Sequence, residues 1–372
     1  MATPLFIPQD IVQDILTKLP VKTLLRLKCL SKNYCTLIES PTFISSHLSH
    51  SIKNPSLLVF LGDNNFELSP RSSFHSHETI TNYSFTPLTF SYHYVNVIGS
   101  CHGLLCCQYL DDETDDFELV TVLWNPATRK FKRLPKHDPE ERCDQLAIGL
   151  GFDPKGNDYK LVRASVFGRY PRASILCEVI ERNKGVWRRI THDNPDYVPP
   201  PGGLWQIPKT ASAAVQGALY WNIDGEILLS FSLLDDTFQW IPFPPPLNNY
   251  SMTGYNSRYR LETCCAWKES VAAVANLPNF RSKDQCFDIW VLNGSDKERA
   301  WSKLFTVTAS VSERLIPICL WRDREVVFKQ SNEDGKKLVW LGIYGETGLS
   351  KDWEEDVYVH AWWNYEESLV EL

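Results

Sequence analysis

"GALYWNIDGEILLSFSLLDDTFQWIPFP", residues 217–244, is the stretch whose reading decides how most of this chain folds. Its two apolar runs, GALYWNI and EILLSFSLL, are short and separated by polar turn residues, which is the pattern of strands and not of helices. After the Asp235-Asp236 turn come an aromatic, two residues and an aliphatic, Phe238 and Ile241. The same spacing occurs at Phe131 and Leu134, Trp187 and Ile190, and Trp301 and Leu304, so the aromatics lie 56, 51 and 63 residues apart. Gly103 and Gly217 open similar strands, in GLLCC and GALYW. Further runs such as SLLVFLG, VTVLW, YKLVRASVF, FDIWVLN, REVVFKQ and LVWLGIY carry the texture from about residue 55 onward. A period of one small sheet plus a variable loop predicts a β-propeller, in which large aromatics fill the gap between stacked blades.

Composition bounds the rest. Among 372 residues, 43% are hydrophobic and 22% charged, ordinary globular usage that favours neither disorder nor a membrane class. No apolar run is long enough to span a bilayer, and no basic start with an apolar signal core is seen, so the expected location is cytosolic or nuclear. There the eleven scattered cysteines are expected to be free thiols behaving as small hydrophobes. The net charge of −7 is uneven: residues 1–50 carry five Lys/Arg and three Asp/Glu, leaving 33 against 42 for the remainder. An acidic body argues against a nucleic-acid partner and mildly favours a basic protein target.

The first fifty residues have a different texture. In "IPQDIVQDILTKLP", Ile7 to Pro20, Ile11, Ile15 and Leu19 recur every four residues beside Val12 and Leu16, one apolar helical stripe that Pro8 opens and Pro20 stops. In "VKTLLRLKCLSKNYCTLI" the residues Leu27, Leu30, Tyr34, Leu37 and Ile38 step by three and four, and Ser40-Pro41 predicts a capped third helix. Three or so short helices cannot hide all of this surface alone, so part of it is expected to meet a partner.

The order Ile7-Pro8, Asp10-Ile11-Val12, Ile15-Leu16, then "KLPVKTLLRLKCLSKNYCTLI" and "SPTFISSHL", resembles the F-box of plant F-box proteins over residues 7–48. It departs from that pattern at Ile7, where Leu is usual, and at Tyr34, where Trp is usual. The stretches "VIGSCHGLLCC", "LWNPATRKFKRLP", "GLGFDPKGNDYKLVR" and the closing "YEESLVEL" are similar to the F-box-associated domain of the same family, which includes F-box/kelch-like and S-locus F-box proteins.

The resemblance implies docking onto a Skp-type adaptor and, through it, a cullin scaffold of a ubiquitin ligase. Pro8, Ile11, Ile15, Leu16, Leu19, Pro20, Val21, Leu24, Leu25, Cys29, Leu30, Tyr34, Leu37 and Ile38 match the F-box pattern and are the expected adaptor-binding residues. The expected architecture is therefore an α+β multidomain chain: an all-α F-box over 1–50, a linker and first strands over 51–94, and an all-β, propeller-like substrate-binding domain over 95–372.

Other signals are weighed against bland readings. Cys101, His102, Cys106 and Cys107 lack ligand spacing, so no metal or cofactor is expected. The acidic run with Asp111, Asp112, Asp115 and Asp116 is either a solvated hairpin tip or a steering patch for a basic target. Trp205, after the proline run 199–201, is either an exposed target anchor or core. Asn125-Pro126 and Asp153-Pro154 read as turn chemistry. No nucleophile elbow, phosphate loop or zinc-protease helix is present, and the resemblance implies a non-catalytic specificity subunit. The rival readings are a propeller that binds glycans, a propeller hydrolase with converging side chains, and an adaptor-bound competitor without ligase function.

Overall fold

A computed structural model of the chain describes residues 7–62, 65–69, 81–84, 95–111, 118–136, 145–167, 174–190, 210–223, 225, 227–244, 260–277, 284–294, 299–310, 314–320, 325–332, 335–342, 347–352 and 361–372. Helices come first: α1 Gln9–Leu16, α2 Val21–Lys28, α3 Lys32–Glu39 and α4 Pro41–Lys53. Pro8 and Pro20 hold extended ψ angles immediately before α1 and α2, so Pro20 both ends one segment and launches the next. Ser31 and Ser40 cap α3 and α4 by accepting the Tyr34 and Phe43 N–H groups at 3.2 and 3.3 Å. Among the described residues there are thus four helices instead of the expected three or so, and the last runs to Lys53, beyond the expected boundary at 50.

From Ser56 the described residues form six four-stranded antiparallel sheets. The first joins β1 Ser56–Gly62, β2 Asn65–Ser69 and β3 Thr81–Ser84, and the chain's last strand, β24 Ala361–Tyr365, pairs with β1. The second comprises β4 Asn96–Cys101, β5 Leu104–Asp111, β6 Glu118–Asn125 and β7 Lys130–Arg133; the third, β8 Gln145–Asp153, β9 Asp158–Phe167, β10 Ser174–Glu181 and β11 Trp187–Ile190. The fourth holds β12 Ala213–Val215, β13 Ala218–Ile223, β14 Ile227–Ser232 and β15 Thr237–Pro242. In the fifth are β16 Arg260–Trp267, β17 Ser270–Leu277, β18 Gln285–Asn293 and β19 Ala300–Ala309; the sixth is β20 Leu315–Leu320, β21 Glu325–Asn332, β22 Gly335–Gly342 and β23 Thr347–Asp352.

Two compact units result, one of residues 1–134 with 360–372 and one of residues 135–359. Within each, consecutive sheets stack face to face. In the first unit Leu58 and Tyr365 pack against Val97, Leu105, Cys107, Val122 and Trp124 of the β4–β7 sheet. In the second, Val162, Ala164 and Val179 meet Leu219, Trp221 and Leu229. The fourth sheet's Tyr220 and Leu228 meet Val271 and Ala273, and Phe287 lies 4.7 Å from Phe328 of the sixth sheet. Sandwiched middle strands such as β14 and β17 are therefore buried on both faces, which is why they read as unbroken apolar runs. At Gly151 a Cβ would meet Leu233 Cδ1 at 2.5 Å, so close sheet packing requires glycine there.

The aromatic repeat falls on the fourth strand of four sheets, β7, β11, β15 and β19. Trp187 and Trp301 donate their indole N–H to the carbonyls of Pro135 and Pro242, at 3.1 and 3.0 Å. The repeat fails in two places. Phe131 is 44% exposed on the outer strand β7 and fills no gap, and Leu304 is 40% exposed. Pairing passes from Phe305 directly to Lys303, which leaves Leu304 in a bulge. The two glycines that open similar strands both sit in two-residue hairpins with paired positive φ, 46° and 81° at His102-Gly103 and 49° and 71° at Gln216-Gly217.

Candidate docking interface

The helical head closes over Leu16, Val21, Leu24, Ile38 and Phe43, which form one cluster together with Ala127 and Leu369. Val12, Leu19, Leu25, Leu27, Tyr34, Leu37 and Ile44 pack around it, half-buried. Leu16, Val21, Leu24 and Ile38 are at most 5% exposed, so the structure removes these four from the expected contact residues. They build the core that holds the face in shape, because a helix of two turns has only one stripe to spend on the interior. A charge at Leu24 would break the head itself and not merely its docking surface.

What remains outside is more sharply defined. Ile7, Ile11, Ile15 and Leu30 are 54, 45, 51 and 71% exposed, and Pro8, Pro20 and Cys29 are exposed beside them in sequence. With Ile52, five of the eleven exposed large apolar side chains among the described residues lie in the first 53, a clustering that marks a contact surface. Ile11 and Ile15, one turn apart, share the outer face of α1. Beneath, His47 is buried and its Nε2 lies 3.0 Å from the Leu19 carbonyl, joining α4 to the end of the α1 segment. Burial pushes the His47 imidazole below its usual range, opposed by that carbonyl and by Glu367.

The head is also held from the far end of the chain. Glu367 Oε2 accepts the Val21 N–H at 3.2 Å, at the start of α2, where a negative charge suits the helix dipole. Asn125, fully buried at the end of β6, donates its amide to the carbonyls of Ser368 and Val370, both at 3.0 Å. A Cβ on Gly103 would collide with the Ser368 side chain and lie 2.5 Å from the Glu366 carbonyl, so the tail runs flush over the β4–β5 hairpin. In the sequence Asn125 reads as turn chemistry, Gly103 as a strand opening and the tail as a family motif, with nothing to join them. Partners separated by 243 to 346 positions leave no local periodicity to find.

For target-binding residues the structure offers less. The Asp111 backbone pairs with Glu118 at the end of the β5–β6 hairpin, while Asp112, Asp115, Asp116 and Trp205 lie outside the described residues. Cys106 and Cys107 are both fully buried, and burial pushes their thiols far up. Within the second unit, a cleft of about 660 Å³ opens between the β12–β15 and β16–β19 sheets. Arg299 lines it, lying 5.7 Å from the Tyr220 ring centre with Ser230 Oγ at 3.4 Å.

Residues 5–46 match the F-box domain and residues 59–372 the F-box associated beta propeller domain, so the chain belongs to the F-box proteins that carry this propeller domain. It is 24% identical over 324 residues to an F-box/kelch-repeat protein of Arabidopsis thaliana, covering 82% of this chain and 81% of the relative. It is 25% identical over 371 residues to F-box protein CPR1 of the same plant, covering 91% and 82%. Among solved structures the likeness is distant: YCF48 from Cyanidioschyzon merolae superposes with a TM-score of 0.38 at 12% identity, over 82% of this chain and 87% of that one.

Proposed function

We propose that this chain is the substrate-recognition subunit of a Skp-cullin-F-box ubiquitin ligase, docking through the outer face of α1 and Leu30 while its sheets hold a target protein. The observation that carries the reading is the set of exposed aliphatics, Ile11, Ile15 and Leu30, on a head whose interior is already filled without them. The mechanism is positioning: a lysine of the target is kept at high effective concentration near a charged ubiquitin carrier, a task that asks no acid, base or nucleophile of this chain. With 33 Lys/Arg against 42 Asp/Glu beyond residue 50, the body is acidic and the favoured target surface is basic, and the setting is the cytosol or nucleus, where the free thiols stay reduced.

Capture of the full chain by purified Skp-type adaptor tests this. Ile11→Glu with Ile15→Glu places two charges on the outer face without touching the core, and binding is expected to weaken by about a hundredfold or more. Val186→Glu, at a side chain 68% exposed in the second unit, serves as the control and should bind normally. Undiminished capture by the double variant would overturn the assignment of this face.

A further inference from the structure

We propose that residues 366–372 are a positioning strap that locks the docking head onto the β4–β7 sheet, so that whatever binds the head is held at one angle to that sheet. The strap begins where β24 ends, and β24 is itself paired with β1, the strand that leaves the head. From there Glu367 binds the first turn of α2, and Leu369 fills the head's own core beside Leu24 and Phe43. Asn125 holds the Ser368 and Val370 carbonyls, and Lys130 pairs with Glu371 at 2.8 Å. Ala127, in the turn that follows Asn125, enters the same cluster, so that sheet, strap and head share one apolar core.

A head tethered only through Asn54 and Pro55 would swing freely. This one is closed from two directions, and its four short helices borrow Leu369 and Ala127 to finish their interior. The consequence for ubiquitin transfer rests on the docking reading above: a fixed angle between adaptor and body narrows which target lysines come within reach. The mechanical claim does not depend on what the head binds.

Amide hydrogen exchange on the full chain tests it. Asn125→Asp leaves the oxygen that caps the Ala127 turn but replaces the tail's donor by a carboxylate. Exchange in α1–α4 is expected to accelerate about tenfold or more, with the β8–β11 sheet unchanged as an internal reference. Glu367→Ala with Lys130→Ala removes two other tail contacts and leaves the head's core residues in place, a second route to the same release should the first variant fold poorly. In a chain with a single protease site inserted after Asn54, the cleaved head should co-elute with the body in the native sequence and separate in either variant. Unaltered exchange in both variants, or separation of the native pieces, would overturn the strap. Adaptor capture on the same samples distinguishes loss of the strap, which spares capture, from failure of the docking assignment, which abolishes it in the native chain.

Discussion

Two turns that open alike with Asx-Pro, Asn125-Pro126-Ala127-Thr128-Arg129 in the first unit and Asp153-Pro154-Lys155-Gly156-Asn157 in the second, are built alike and used in opposite ways. In each, the side-chain Oδ1 accepts two backbone N–H groups of the turn: Ala127 and Thr128 at 3.1 and 3.3 Å, Lys155 and Gly156 at 2.9 and 3.1 Å. Each ends on a residue with positive φ, Arg129 and Asn157. The second side-chain atom is where they part. Asn125 Nδ2 faces two carbonyls of the tail, which need a donor, whereas Asp153 Oδ2 faces the buried Lys160 ammonium at 2.9 Å, which needs an acceptor. Turn formation does not choose between Asn and Asp; the group arriving from elsewhere does.

Exchanging the two residues breaks the comparison at its strongest point. Asp153→Asn should have the larger effect, because it leaves Lys160 buried with only the Leu233 carbonyl and the more distant Asp236, at 3.7 Å. A loss of about 3 kcal/mol is expected in the second unit, measured by denaturant unfolding. Burial pushes the Asp153 carboxyl up, but the Lys160 ammonium and the Gly156 and Lys155 N–H groups outweigh it and hold the group below the usual carboxylate range. Its contribution is therefore present above its unfolded pKa and lost as acid titrates it through the folded value, so native and variant should converge in acid. Equal stability at neutral pH would mean that Lys160 finds water or another partner. Asn125→Asp should cost somewhat less, about 2 kcal/mol, for two bonds lost to exposable carbonyls, and the cost should fall in the first unit alone. A neutral outcome there would reduce both turns to local chemistry.

How far the sequence foretold this molecule follows the same division between local and remote. The propeller was legible because Phe131, Trp187, Phe238 and Trp301 mark one strand position in four successive sheets, and a repeat reports itself at any distance. The head was legible through its spacing, which shows which residues are apolar but not which side of a thin helical layer each takes. Leu16 and Ile15 are neighbours in one stripe, yet Leu16 is 5% exposed and Ile15 51%. The strap was invisible, since "YEESLVEL" has neither helical nor strand period and its partners are fixed only where β24 returns to pair with β1.

The smallest predicted effect sharpens the comparison within the strap itself. Glu366, beside the residues that Asn125 holds, has its carboxyl pushed up to about 7 by burial, partly opposed by the backbone N–H groups of Glu366, Gly103 and His102. Between its ordinary value near 4.5 and about 7 the folded chain binds more protons at this site than the unfolded chain does. Stability contributed here is therefore full below the unfolded value and is lost as pH rises through the folded one. His47 has the opposite sign: with its folded pKa below 6.5, the unfolded chain binds more protons in acid, and stability falls as pH drops. The two groups therefore oppose each other below neutrality, where falling pH favours the folded chain through Glu366 and disfavours it through His47. Glu366→Gln keeps an acceptor oxygen for the hairpin N–H groups and cannot ionise, so it should remove the loss between about 4.5 and about 7 and leave the His47 effect in place. The gain over the native chain is expected to be on the order of 1 kcal/mol at about pH 8, above the folded value, and near zero at about pH 4, below the unfolded one. Melting curves that shift equally at both pH values would show that Glu366 ionises freely in the folded chain, and that the tail reaches the β4–β5 hairpin without burying a charge.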